Sequence, residues 1–300
     1  MNATAARERH ASEARGFTDF EILRTREGDE MVVHTRLVEA PRGTILLAHG
    51  VGEHARRYGP LAARLAGAGF SVIAPDHLGH GLTAERGRGL GRVGPGTNLR
   101  ARRALSDVAR LARSRAEQSP LILLGHSWGS LLGQQLLNHS GHLFSAAVFT
   151  GTTLPVPGLI NPGKLNAAYA ACDDTGLAWL SRDEEQRALF AADPYCFDTA
   201  KQPVWSSLQA VQLLSFPRHR LDPNSPGDLP ILILAGSNDP LGFGARGPKM
   251  LARALRRWSG CSDVTLRIYP EARHEVFFER NRDEITEGLI AWLHDHFPAR

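Results

Sequence analysis

The 300-residue sequence is poor in cysteine, very poor in lysine and free of long apolar runs, and each scarcity removes a class of protein. Cys172, Cys196 and Cys261 are few, far apart and odd in number, which argues against a disulfide framework and fits a reducing, cytoplasmic setting. No two of them have metal-ligand spacing, so the sequence predicts no metal, and nothing in it asks for a cofactor. No stretch approaches the ~20 apolar residues that span a bilayer. Leu121 to Leu124 and Ile231 to Ala235 are strand-sized, so no integral membrane segment is expected. Residues 1–16 alternate Arg and Glu with Ala and lack the apolar centre of a signal peptide; they read as a flexible, solvated tail. Lysine stands only at 164, 201 and 249, so nearly all the positive charge is arginine.

What is present describes an ordinary globular chain: 42% hydrophobic residues, 22% charged residues and a formal charge of +4. The basic excess is local, with Arg86, Arg88, Arg92, Arg100, Arg102, Arg103, Arg110, Arg113 and Arg115 in one segment. A solvated helix-and-loop face, a surface for anionic lipid and a nucleic-acid surface all have this composition. No aromatic residues interleave the arginines, so no nucleic-acid partner is expected.

Short apolar runs alternate with longer amphipathic ones, the pattern of a parallel sheet covered by helices. Strands are predicted at Phe20 to Arg26, Met31 to Val38, Thr44 to Ala48, Phe70 to Ala74, Leu121 to Leu124, Ser145 to Phe149, Ile231 to Ala235 and Val264 to Tyr269. Helices are predicted at Tyr58 to Ala68, Leu99 to Glu117, Trp128 to His139, Pro248 to Trp258 and Arg282 to Phe297. Residues 152–228 break this rhythm: they hold no convincing buried strand, and prolines punctuate short helical pieces. The expected organisation is therefore an α/β core over 17–151 and 229–300, with a helical cap inserted over 152–228.

The chemistry begins at Gly125-His126-Ser127-Trp128-Gly129, where a strand runs into Gly-x-Ser-x-Gly and then a helical pattern. A serine on so tight a turn exposes its Oγ, and only glycine-sized neighbours let strand and helix approach closely. Upstream, the strand Thr44 to Ala48 ends in His49-Gly50-Val51-Gly52-Glu53-His54. The backbone N–H groups of Val51 and Trp128 are the expected oxyanion donors, with His49, Gly50 and Gly52 supporting the loop. Serine needs a base, and the base needs an orienting acid. Asp239 and His274 follow later strands, at their carboxyl ends, in the order this chemistry takes in open α/β sheets. Asp76 lies upstream of the serine and reads as a loop organiser.

With these residues in place, the chain resembles the monoacylglycerol lipase and lysophospholipase branch of the α/β-hydrolases, also called serine aminopeptidase-like. The likeness runs from Phe20 to Phe297 and rests on the His49 to His54 motif with Arg57-Tyr58, Asp76-His77-Leu78-Gly79-His80-Gly81, the Ser127 pentapeptide and Arg273-His274-Glu275. Ser181-Arg182-Asp183 and Ala192-Asp193-Pro194 look like that branch's cap. The resemblance implies an α/β-hydrolase fold with a mostly parallel, eight-stranded sheet, and an esterase or lipase of monoacyl lipids or other small esters, working without a cofactor. Two departures stand out: Ser130 replaces a glycine usual after the elbow, and Trp128 replaces a common methionine. An indole there either narrows the acyl pocket or packs in the core. Aminopeptidase, acyltransferase and non-catalytic receptor stay open as alternatives. For the first, Asp173, Asp174, Glu184 and Glu185 are the acids available to hold a substrate ammonium. Peripheral membrane contact and oligomeric state stay open too.

Overall fold

The apolar runs of four to six residues are rich in Ile, Leu and Val and too short to bury a helix face, so they pair as strands. In a computed structural model of the chain, residues 16–116, 118–161, 163, 165–171, 173–218 and 228–299 are described. The tail predicted over 1–16 therefore lies, but for Gly16, outside the described residues. The strands are β1 (Asp19–Arg24), β2 (Glu30–Arg36), β3 (Gly43–Ala48), β4 (Phe70–Pro75), β5 (Leu121–His126), β6 (Ala146–Thr150), β7 (Ile231–Gly236) and β8 (Val264–Tyr269). They form one sheet in the order β1-β2-β4-β3-β5-β6-β7-β8. Pairing is antiparallel at β1/β2 and β2/β4 and parallel everywhere else.

Helices α1 (Gly59–Gly67), α2 (Gly81–Arg86), α3 (Thr97–Ala116), α4 (Trp128–Ser140), α5 (Glu184–Ala192), α6 (Arg246–Ala254) and α7 (Arg282–His296) complete the frame. Side chains alternate across a strand, so each central strand feeds two cores. Leu121 and Leu123 of β5 join Leu105 and Val108 of α3, Leu132 and Leu136 of α4 and Leu251 of α6. Ile122 and Leu124 join Leu61 and Leu65 of α1 with Ile285 and Leu289 of α7 on the other face. That explains why β5 and β7 are fully buried continuous apolar runs, whereas the edge strand β1 is largely exposed.

Two helices depart from expectation. α2 had no counterpart in the pattern, being six residues long and opening on Gly81; Asp76 Oδ2 accepts its Leu82 N–H at 2.8 Å. α6 starts at Arg246, before Pro248, because a proline in the first turn removes no intrahelical bond. It gives way to a wider π turn over Leu255–Ser259. Between β6 and β7 the described residues form no strand, only α5 and shorter helical turns. This interval is fastened to α4 through two of its buried amides: Gln134 Nε2 donates to Thr153 O at 3.1 Å, and Gln135 Nε2 to Gln212 O at 2.8 Å.

The arginine-rich segment faces acids of the β1/β2 hairpin. Arg100 meets Asp29 at 2.8 Å, Arg103 meets Glu27 at 2.9 Å and Arg115 meets Glu21 at 2.9 Å. Such partly exposed pairs contribute about 0–1 kcal/mol each and offset part of the local charge. No helix among the described residues is long and apolar enough to cross a membrane.

Candidate active site

The carboxyl ends of β3, β5 and β8 line one small cavity, and the loop after β7 stands behind it against His274, where a parallel sheet gathers its loops. At the end of β5 the chain turns within one residue: Ser127 has φ 51 and ψ −120, a left-handed conformation that L-residues rarely adopt. Its N–H is held by Thr150 O at 3.0 Å, and its carbonyl accepts the Leu131 N–H at 3.1 Å. The flanking glycines are required by close approach. A Cβ on Gly129 would lie 2.2 Å from Ala48 O, and one on Gly125 would lie 2.8 Å from Gly129 O. Ser130 fits where a glycine was expected, because its hydroxyl donates to Ser127 O at 2.7 Å and stabilises the turn.

The three predicted side chains meet. His274 Nε2 lies 2.8 Å from Ser127 Oγ, and His274 Nδ1 lies 3.0 Å from both carboxylate oxygens of Asp239. Asp239 also accepts the Leu241 N–H at 2.9 Å, which fixes its carboxylate plane. All three are buried. Burial alone would depress the His274 pKa, but the Asp239 carboxylate outweighs it and holds the imidazole above its ordinary value. Asp76, the rejected acid, points away and organises its own loop: it accepts from Ala55 N at 2.9 Å and faces His34 at 3.1 Å. Burial opposes its ionisation, yet the His34 contact and the backbone donors draw its pKa down to about 2.

The loop after β3 is held from both sides. Gly50 N donates to Glu53 Oε1 at 2.6 Å and Gly52 N donates to His80 Nε2 at 3.0 Å. Val51, between them, keeps its N–H uncommitted among the described residues and lines the same cavity as Ser127. Trp128 occupies the first position of α4, where an N–H has no carbonyl one turn back. A Cβ on Gly50 would stand 3.1 Å from Ser127 Cβ, tighter than an ordinary contact, so glycine lets the loop run close beside the serine. His49 is a strut: Nδ1 bonds Gly50 O at 2.7 Å while Nε2 accepts the His77 N–H at 3.0 Å. Burial, then neighbouring histidines, keeps His49 well below its ordinary pKa; burial pushes His80 down to about 4, so its Nε2 stays free to accept. The Trp128 indole packs in the core, donating to Asn98 Oδ1 at 2.8 Å and lying against His77, His80 and Trp205. It does not narrow the cavity.

Sequence reasoning gave no role to a buried ion network behind the cavity. Arg57 grips Glu275 through two bonds of 2.7 and 2.9 Å and also reaches Glu53, while the Tyr58 hydroxyl donates to Glu53 at 2.9 Å. The guanidinium is sandwiched by Phe190 and Phe278 at 4.8 and 4.1 Å. One cation thus ties the Val51 loop, through Glu53, to the His274 loop, through Glu275. The available signals were Glu53 and Arg57 four residues apart and Glu275 beside the histidine. Arg57→Met keeps apolar packing against the two rings but strands two buried carboxylates, and should cost about 3–5 kcal/mol of stability. A correspondingly lower urea midpoint checks this; an unchanged midpoint would mean the network is energetically idle.

The cavity itself measures about 20 Å3 and is walled by Leu177, Trp179, Leu180, Phe190 and Phe197 of the inserted segment. That segment is bonded to the site loops: Glu275 N donates to Leu180 O at 2.7 Å, His274 N to Trp179 O at 3.3 Å, and Phe197 N to Gly52 O at 2.9 Å.

The family model described as "Serine aminopeptidase, S33" matches residues 39–281. The monoacylglycerol lipase of Mycolicibacterium smegmatis is 29% identical over 271 residues, covering 85% of this chain and 89% of the relative. The monoglyceride lipase of Mus musculus is 28% identical over 264 residues, covering 83% and 80%. Among solved structures, a thermostable carboxyl esterase from Bacillus coagulans superposes with a TM-score of 0.81 at 23% identity, over 93% of this chain and 98% of that one, and shares the α/β-hydrolase fold. With a family match extending from the third strand to the start of α7, over the whole set of site loops, the chain belongs to the serine aminopeptidase S33 family of α/β-hydrolases.

Proposed function

We propose that the protein is a carboxylic ester hydrolase in which Ser127 attacks, His274 serves as base and then acid, and Asp239 orients the imidazole. The observation that carries this reading is the unbroken hydrogen-bond chain from Ser127 Oγ through both nitrogens of His274 to Asp239. As Oγ attacks the ester carbonyl, its proton passes to His274 Nε2. The Val51 and Trp128 N–H groups receive the developing oxyanion, each contributing about 3 kcal/mol. The alcohol departs with the proton from His274, and water repeats the sequence on the acyl-enzyme.

Monoacyl esters are the proposed substrates. Support comes from the relatives' names, monoacylglycerol and monoglyceride lipase, and from an apolar wall of Leu177, Trp179, Leu180, Phe190 and Phe197. A cavity of about 20 Å3 has room for a single water. Residues 152–228 therefore act as a cap whose retreat admits the acyl chain. The acids suggested for an aminopeptidase lie elsewhere: Asp173 accepts from Thr175 and Ala178 in its own loop, and Asp174, Glu184 and Glu185 are exposed.

A panel of monoacylglycerols of rising chain length, a lysophospholipid and a proline arylamide tests the substrate reading. The monoacylglycerols should exceed the arylamide at least ~100-fold in kcat/KM, the range a mismatched polar group imposes. Preference for the arylamide would overturn the reading, and preference for added alcohol over water would make the enzyme an acyltransferase.

A further inference from the structure

His54 closes the loop that carries Val51, and its Nε2 stands 2.8 Å from Asp193 Oδ2 at the end of α5. Cys196, one turn further along the cap, brings its sulfur into the same group: the ligand atoms of His54, Asp193 and Cys196 all lie within 4.8 Å of one another. The His54 side chain is fully buried and that of Asp193 is 7% exposed. Imidazole, carboxylate and thiolate are the donor set that zinc takes at roughly 2.0–2.3 Å in a tetrahedron, with one position left for water. That geometry spaces ligand atoms less than about 4 Å apart, so a small closure of the existing cluster suffices.

The nearby Arg57 guanidinium is already held by the two carboxylates of Glu53 and Glu275, so its charge is compensated beside the cluster. A cavity of about 280 Å3, bordered by Arg57, Leu189 and Phe278, reaches the group at Asp193. Burial keeps the Cys196 thiol protonated well above the ordinary range, so binding must release that proton to solvent, as zinc–thiolate formation does.

We propose that His54, Asp193 and Cys196 form a zinc site that clamps the cap to the Val51 loop. The clamp lies on the seam where Phe197 N already bonds Gly52 O, so bound zinc holds the cap closed. It therefore inhibits ester turnover, a consequence that rests on the function proposed above.

The test uses the reduced full-length protein. Equilibrium dialysis against zinc should load about one ion per chain, and cobalt should give a thiolate-to-cobalt charge-transfer band. Cys196→Ser should lose that band and weaken zinc at least tenfold, since even the outer-shell partners that orient a ligand are worth that much, while Cys261→Ser keeps both. Zinc at a hundredfold excess over Kd should raise Tm by about 5 °C in the wild type but not in Cys196→Ser. Absence of stoichiometric zinc, or a cobalt band that survives Cys196→Ser, overturns the site. Stoichiometric zinc that leaves turnover at its metal-free rate overturns the clamp. A chain that binds zinc through Cys196 yet hydrolyses no ester leaves the site standing and removes the function proposed above.

Discussion

Ser127→Ala should lower kcat on a monoacyl ester by about a millionfold, down to the residual rate that oxyanion donors and binding alone sustain. The substitution removes one atom, the Oγ that faces His274 Nε2 at 2.8 Å. It leaves the turn intact, because the bonds that hold it are backbone bonds: Ser127 N to Thr150 O, and Ser130 N and Leu131 N to Ser127 O. Alanine carries the same Cβ into the positive-φ conformation, so the strain at φ 51 is unchanged. An unchanged Tm beside lost turnover therefore separates chemistry from folding. A fluorophosphonate should label the wild type at Ser127 and leave the variant unlabelled. Variant turnover within tenfold of wild type would remove Ser127 from the mechanism.

Ser127, Asp239 and His274 were legible because each sits at a strand end, and strand ends show in single sequences as apolar runs broken by glycine. β5 and β7 are buried on both faces, so their runs are continuous and their ends sharp. The order serine, acid, histidine then selected Asp239 over Asp76 and one histidine among thirteen. What the sequence hid depends on contacts across long separations. Arg57 and Glu275 are 218 residues apart, and His54 and Asp193 are 139 apart. Spacing rules for metal sites look for neighbouring cysteines, and could not see a cluster assembled from the Val51 loop and the cap. The cavity wall was equally invisible, since Leu177, Trp179 and Leu180 lie in a stretch with no period to read. Trp128 was ambiguous for a different reason: its backbone position was fixed by the elbow, but its side-chain direction is set by Asn98 of α3.

Asp239→Asn should lower kcat by about ten-thousandfold and move the acid limb of the pH profile downward. In the wild type Nε2 must be unprotonated to accept from Ser127, so kcat/KM rises as pH rises through the His274 pKa. The Asp239 carboxylate holds that pKa above 6.5 against the opposing pull of burial, so the wild-type limb has its midpoint above 6.5. Asparagine deletes the negative charge and leaves the burial, so the residual limb must fall. The rate falls for a separate reason. An amide can present an N–H to Nδ1, which drives the imidazole proton onto Nε2 and removes the lone pair that Ser127 needs. Stability responds in the same sense: the His274–Asp239 attraction is fully present below pH 6.5 and is lost as pH rises through the higher folded value. The variant should therefore lose more stability at pH 6 than at pH 9, a difference that urea midpoints at the two pH values measure directly. A limb that keeps its wild-type midpoint would mean that His274 is not the titrating base, whatever the loss in rate.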